Sequence, residues 1–255
     1  VYMQIEEICV RGTVFGKGMP KICVPLVGKT DTEILNQALE VSLQKPDCIE
    51  FRADWYENIL CPEDVERVLG QIREIIGNIV LLFTFRSKEE GGQRSISVEQ
   101  YSRLCKNACE SGYIDLLDVE AFKQNGLLEE LVETAHKNGV YIVGSNHDFV
   151  RTADEDELLE KLQQIDEMGA DIPKIAVMPV TERDVLNLLS ATLKYHEKGG
   201  NKPVITMSMK PMGGVSRLAG ELVGSVMTFA TLGQESAPGQ IPLTLVRDVL
   251  KCLEA

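Results

Sequence analysis

The chain has 255 residues, 44% of them hydrophobic, which is enough apolar material for one large core or two modest ones and excludes disorder as a default state. Its 26 basic and 39 acidic residues leave a formal charge of −13 with no local basic run, which argues against nucleic acid and anionic lipid as partners. The longest apolar stretches, such as 79–85, are far too short to span a bilayer, and the acidic start through Glu6 and Glu7 is unlike a signal peptide, so a cytoplasmic protein with no membrane partner is expected.

In chain order, the first segment (4–16) alternates in polarity and turns at Arg11-Gly12, the pattern of a β-hairpin. Eight short, β-branched runs follow: 21–28 (KICVPLVG), 48–54 (CIEFRAD), 79–86 (IVLLFTFR), 113–120 (YIDLLDVE), 140–148 (VYIVGSNHD), 172–179 (IPKIAVMP), 203–209 (PVITMSM) and 226–232 (VMTFATL). Between them lie stretches with helical spacing, for instance Val65, Val68, Leu69, Ile72 and Ile76, or Leu158, Leu159, Leu162, Ile165 and Met168. Thr30-x-x-Glu33, Ser97-x-x-Gln100 and Thr152-x-x-Glu155 read as capping boxes just after strand ends, and Pro62 suits a first helical turn. No linker-like composition interrupts the rhythm, so one domain over 1–255 is expected.

Eight βα units in about 250 residues match the size of an α/β TIM (β/α)8 barrel, with a doubly wound open sheet as the alternative. Polar residues come late in the strands (Glu50, Arg52, Arg86, Asp118, Glu120, His147), and in a barrel those ends converge on one mouth. The hairpin within 1–20 is then expected to close the floor of the barrel formed by 21–255, because an uncovered floor would leave apolar side chains wet.

Strand parity puts Glu50 and Arg52 on one face of their run and sends Arg86 inward as well. Two explanations stand: a structural ion-pair network, or a set of groups awaiting a small, hydroxylated or anionic ligand. Lys174 is embedded in an otherwise apolar run; desolvation there disfavours the ammonium and leaves an amine able to attack a carbonyl, against the alternative of a lysine that snorkels out or pairs with an acid. His147 ends the preceding strand, within reach of that lysine, as a candidate acid/base or a satisfied structural histidine. His136 and His196 lie in charged helical segments and read as surface residues.

Other motifs carry less. Gly213-Gly214 before Ser216-Arg217 matches no phosphate-loop pattern, Gly91-Gly92 reads as a loop or a hinge, and Asp118 with Glu120 lacks the further ligands of a metal site. The seven cysteines are scattered, without C-x-x-C spacing, and read as reduced thiols; Cys105 and Cys109, one helical turn apart, read as core residues.

The ordered blocks Glu50-Phe51-Arg52-Ala53-Asp54, Phe83-Thr84-Phe85-Arg86-Ser87 with Glu90-Gly91-Gly92, Ser145-Asn146-His147-Asp148-Phe149, Ile172-Pro173-Lys174-Ile175-Ala176, Met207-Ser208-Met209, Ser216-Arg217-Leu218-Ala219-Gly220 and Ser236-Ala237-Pro238-Gly239-Gln240 resemble the type I, Schiff-base 3-dehydroquinate dehydratases. The resemblance implies a (β/α)8 lyase of the shikimate pathway, serving aromatic amino-acid biosynthesis, that needs no metal or organic cofactor and converts 3-dehydroquinate to 3-dehydroshikimate and water. It implies that Lys174 forms the imine, that His147 moves protons and that Glu90 orients His147. It further implies that Arg217 binds the substrate carboxylate, that Glu50, Arg52 and Arg86 surround its hydroxyl side, and that Ser236 and Gln240 sit on a closing loop. A homodimer is expected by the same resemblance. Between Met209 and Ser216 the chain reads Lys210-Pro211-Met212-Gly213-Gly214-Val215, where relatives usually have a shorter pattern with one glycine. A Schiff-base aldolase and an inactive barrel kept for binding are the competing readings.

Overall fold

The computed structural model describes residues 3–253. The hairpin strands β1 (Ile8–Val10) and β2 (Thr13–Phe15) are antiparallel, and Arg11 and Gly12 between them both have positive φ (49° and 85°), as a two-residue turn matching strand twist requires.

Eight parallel strands follow: β3 (Lys21–Leu26), β4 (Cys48–Arg52), β5 (Val80–Thr84), β6 (Leu116–Glu120), β7 (Tyr141–Asp148), β8 (Ile172–Val177), β9 (Ile205–Ser208) and β10 (Met227–Thr231). A two-residue strand, β11 (Ile241–Pro242), pairs with β10. The sheet runs in the order β11-β10-β3-β4-β5-β6-β7-β8-β9. Sequential order with no reversal is a TIM-like α/β barrel and excludes the doubly wound alternative, whose strand order turns back at a switch point. The seam between β9 and β10 is closed without a ladder: Val204 bridges Ser225, and the Val226 amide donates to the Val204 carbonyl at 2.9 Å.

All eight expected strands are present, each shorter than its apolar run. The run at 113–120 becomes a strand at Leu116; just before it, Asp115 donates its backbone N–H to the Leu81 carbonyl at 3.0 Å while its side chain accepts the Leu81 amide at 2.9 Å.

Helices α1 (Asp31–Leu43), α2 (Pro62–Ile76), α3 (Val98–Glu110), α4 (Leu127–Lys137), α5 (Glu155–Glu167) and α6 (Glu182–Glu197) follow β3 to β8 in turn. Short α7 (Gly214–Leu218) and α8 (Gly220–Val223) follow β9, and α9 (Leu243–Leu253) follows β11. Thr30 caps α1, Ser97 and Gln100 form a complete box on α3, and Pro62 opens α2. Two of the three expected boxes are corrected: on α1 the Glu33 carboxylate accepts the Lys29 amide at 2.7 Å and not that of Thr30, and on α5 the expected box does not form. Asp154 caps α5 through the Glu157 amide, while the Thr152 hydroxyl donates to the Met178 carbonyl; carboxylate and hydroxyl competed within three residues and the acid won. A Thr181–Asp184 box on α6 went unread in the sequence.

Strand parity divides the core in two. Outward side chains such as Ile49, Phe51, Phe83, Phe85, Leu117 and Val119 pack under the helices together with Cys105 and Cys109. Inward ones, including Cys23, Cys48, Val80, Leu116, Val143 and Ile172, join Ile8, Val10 and Phe15 of the hairpin, which thus covers the floor. Arg11 and Arg73 fasten it there, each donating to Asp115 at 2.6 Å. All seven cysteines are free thiols.

Candidate active site

With the floor apolar, the polar inward residues gather at the C-terminal strand ends. Glu50, Arg52, Arg86, Glu90, His147, Lys174, Arg217, Ser236 and Gln240 all line one cavity, together with Gly91, Phe149, Ala176, Met207, Met209, Phe229 and Ala237.

Lys174 on β8 lies opposite Ser145 of β7, and His147 lies opposite Ala176, so the amine sits one inward position deeper than the imidazole. Lys174 is 3% exposed. Desolvation is only part of its environment, which corrects the sequence argument: its Nζ donates to Asp118 Oδ2 at 2.9 Å and lies 4.6 Å from the centre of the Phe229 ring. Asp118 Oδ1 in turn accepts from Arg86 Nη2 and Ser145 Oγ, both at 2.6 Å. Burial works against the Asp118 carboxylate, but the Arg86 and Lys174 charges overcome it and hold its pKa well below the usual range.

Glu90 ends a single 3-10 turn (Lys88–Glu90) after β5, closed by Gly92 N donating to the Ser87 carbonyl at 2.8 Å. The two glycines that follow are required there. Gly91 has φ +85° and a Cβ on it would lie 2.3 Å from the Phe149 ring, while one on Gly92 would lie 1.8 Å from the Arg86 carbonyl oxygen. The turn aims Glu90 Oε2 at His147, 2.9 Å from Nδ1 and 3.0 Å from the backbone nitrogen. Burial, with Glu120 and Asp118 nearby, pushes Glu90 up to about 7 against the opposing pull of Arg86. Burial, reinforced by the Arg86 and Lys174 cations, pushes His147 well below the ordinary imidazole value.

Arg52 is held by a two-point contact with Asp54 (2.8 and 2.9 Å) and reaches the Ser236 carbonyl at 3.1 Å, while Glu50 accepts from Thr84 at 2.9 Å. Arg86 also reaches Glu120 (3.3 Å) and Glu90 (3.5 Å).

Arg217 is different in kind. Carried by the short α7, it is 2% exposed and, among the described residues, has no carboxylate within salt-bridge distance; Nη2 meets the Pro238 carbonyl at 3.4 Å, Nη1 meets Met207 Sδ at 3.8 Å and Nε has no partner. Burial lowers its pKa to about 10, with Glu235 only partly offsetting this. The 210–215 segment that sets α7 in place runs through Lys210 with φ 58°, a 3-10 turn (Pro211–Gly213), and Ser216 Oγ accepting the Ser208 amide at 2.9 Å. Over this wall the 233–240 loop is closed on itself by Ser236 and Gln240, whose side chains bond each other at 3.0 Å.

Elsewhere, His136 is exposed and pairs with Asp171, whereas His196 is half-buried between the Gly200 and Gly224 carbonyls and is not the surface residue expected. Its helix is charged, but this flank packs on the turn before β10. Asp118 was legible in the sequence only as one of the polar strand ends and a weak metal ligand, not as the partner of Lys174, and Ser145 and Phe229 carried no signal; the inward parity of the LLDVE run pointed to Asp118. Among the described residues no three His, Cys, Asp or Glu side chains converge as metal ligands, and no helix is long and apolar enough to cross a membrane.

Comparison with known proteins shows the relationship. A model of the type I 3-dehydroquinase family matches residues 22–255. The 3-dehydroquinate dehydratases of Syntrophotalea carbinolica and Listeria monocytogenes are 48% and 45% identical to it over 249 residues, each alignment covering 98% of both chains. The crystal structure of the type I enzyme from Clostridium difficile with covalent modified comenic acid superimposes with TM-score 0.95 at 43% identity, covering 98% of each chain. Carboxyl transferase domains of Rhizobium etli pyruvate carboxylase, at 14% identity and TM-score 0.68, share the fold alone and cover 43% of that chain. Full-length similarity at this level, with the barrel mouth built as described, establishes that the chain belongs to the type I 3-dehydroquinate dehydratase family of hydro-lyases.

Proposed function

We infer that the chain dehydrates 3-dehydroquinate through a Schiff base on Lys174. One observation carries this reading: Arg217, a buried arginine without a carboxylate partner among the described residues, shares a cavity with a buried lysine and a carboxylate-held histidine. An uncompensated buried guanidinium is costly, and a ligand carboxylate gripped by two parallel bonds would repay that cost.

Lys174 Nζ, after losing its proton, attacks the C3 carbonyl carbon; the oxygen leaves as water and a protonated imine remains. The iminium draws electrons, so His147 can take a C2 proton, with the C2–H pair becoming the C2=C3 bond of an enamine. With the Nδ1 proton donated to Glu90, Nε2 is the free base. The enamine then expels the C1 hydroxyl, which leaves as water with a proton returned from the imidazolium. C1=C2 forms, and hydrolysis of the regenerated imine releases product.

Glu50, Arg52 and Arg86 are assigned to the hydroxyl side of the ring. The Ser236–Gln240 loop excludes bulk water, supported by the Arg52 and Arg217 bonds to its carbonyls. The family resemblance supports a homodimer, which sedimentation of the purified chain would check, and the acidic composition supports a cytoplasmic enzyme.

Borohydride added with 3-dehydroquinate should fix one ligand on the peptide that contains Lys174. An adduct on Lys210, or none in an active enzyme, would sink the assignment.

A further inference from the structure

The reaction above gives no part to the buried carboxylate that touches the amine from behind the cavity wall. Asp118, on β6, is 1% exposed and reaches across β7 to Lys174 on β8. Its two oxygens are divided. Oδ1 is fixed by Arg86 Nη2 and Ser145 Oγ at 2.6 Å each, and Oδ2 meets Lys174 Nζ at 2.9 Å. The Phe229 ring of β10 lies 4.6 Å from the same nitrogen. The nitrogen therefore has an anion as one neighbour and an aromatic ring, whose electron-rich face favours cations, as another.

We propose that Asp118 is the counter-ion of the protonated imine, holding the Lys174 nitrogen positively charged in the two iminium stages that flank the enamine. The proposal rests on the Schiff-base reading and deepens it. A neutral imine is a poor electron sink, so C2–H cleavage requires the proton to stay on nitrogen while the cavity is closed to water. In bulk solvent, water would stabilise that charge; here a fixed carboxylate does so without reorganising during the reaction. The one N–H left on the iminium is the donor available to Oδ2, which the amine contacts before reaction.

The neighbours also separate this role from that of a base. Around Asp118 and Lys174 stand Arg86 after β5, Glu120 on β6, His147 on β7 held by Glu90, and Glu50 and Arg52 on β4. Although burial opposes ionisation, the Arg86 and Lys174 charges keep the Asp118 carboxylate a weak proton acceptor. It can accompany the charge without removing the proton that makes it. Proton traffic is left to His147, which burial, reinforced by those same cations, keeps in the neutral form.

The test uses two hydride donors. Borohydride reduces neutral and protonated imines, whereas cyanoborohydride reduces only the protonated one. With 3-dehydroquinate at neutral pH, wild type should be labelled at Lys174 by both; absence of any label in wild type overturns the Schiff-base reading itself, separately from this proposal. Asp118→Asn should keep borohydride labelling, lose at least tenfold in cyanoborohydride labelling, regain it as the pH is lowered, and lose about 100-fold in kcat. Asp118→Glu, which keeps the charge, should recover cyanoborohydride labelling even if turnover stays low. Equal labelling of the Asn variant by both reagents overturns the proposal, as does a Glu variant that behaves like Asn, since the residue would then act by packing. Should the Asn variant fail to fold, Ser145→Ala removes one donor from Oδ1 and leaves the carboxylate in place. The pH at which its cyanoborohydride labelling falls off should then move from the wild-type position, and an unmoved position overturns the proposal.

Discussion

Glu90 Oε2 lies 2.9 Å from His147 Nδ1 and 3.0 Å from the backbone nitrogen of the same residue, so one oxygen holds both the ring and the strand end that carries it. The ring can turn neither towards the floor nor out of the mouth without breaking that contact. Removing the base should therefore separate the two halves of the chemistry. In His147→Ala, borohydride trapping should persist, because water can carry protons during imine formation. Elimination should fall by about 10²–10⁴ in kcat, because C2 deprotonation needs a positioned base. Turnover near wild type would place the base elsewhere.

The same pair sets a pH expectation. As pH falls, the first proton goes to Glu90, whose pKa is near 7, and not to the imidazole, whose value burial and the Arg86 and Lys174 cations depress. His147 thus stays a neutral base well below the ordinary imidazole range. The acid limb of kcat/KM that belongs to the base should lie clearly below 6.5. Glu90→Gln, which mimics the protonated carboxyl, should keep that limb and remove any inflection near 7. A single limb at or above 6.5 in both proteins would contradict the arrangement.

Arg217→Lys retains charge and gives up the planar fork. If the arginine grips a carboxylate by two bonds, KM should rise at least tenfold, while a ligand without the carboxylate should bind both proteins alike. Equal losses for both ligands would assign Arg217 a structural role at the loop, through its contact with the Pro238 carbonyl.

The 233–240 loop carries Pro238 between Gly233 and Gly239, and the Ser236–Gln240 contacts tie its middle to its C-terminal end. Substrate or product should slow amide exchange and proteolysis across these residues. Gln240→Ala, which removes both side-chain contacts, should weaken that protection while borohydride trapping persists. Identical exchange in free and ligand-saturated protein would make the loop a fixed wall.

At the opposite end of the barrel, Asp115 binds Arg11 and Arg73 and also accepts the Leu81 amide, so one side chain joins hairpin, helix and sheet. Asp115→Ala strands a guanidinium and a buried amide at once and should cost about 3–5 kcal/mol in urea unfolding. Arg11→Ala, at an exposed position, should cost about 1 kcal/mol or less. Comparable costs would show that the hairpin link, and not the buried network, carries the effect.

The order of elements, the parity of each strand and the collection of polar residues at the strand ends were all decided locally. A β-strand alternates its side chains whatever its neighbours, so Glu50, Arg52, Arg86, Asp118, His147 and Lys174 were bound to face one side once eight parallel strands curled together. What those residues meet was not local. That Lys174 faces an aspartate two strands away, that Glu90 grips both ring and backbone of His147, and that His196 reaches a carbonyl before β10 all depend on register and on the crossing of chain segments 28 to 57 residues apart. Charge pairing in a buried cavity acts through distances of a few ångströms, and those are set by how the barrel closes. Spacing along the chain carries the parity of a side chain but not the identity of its partner.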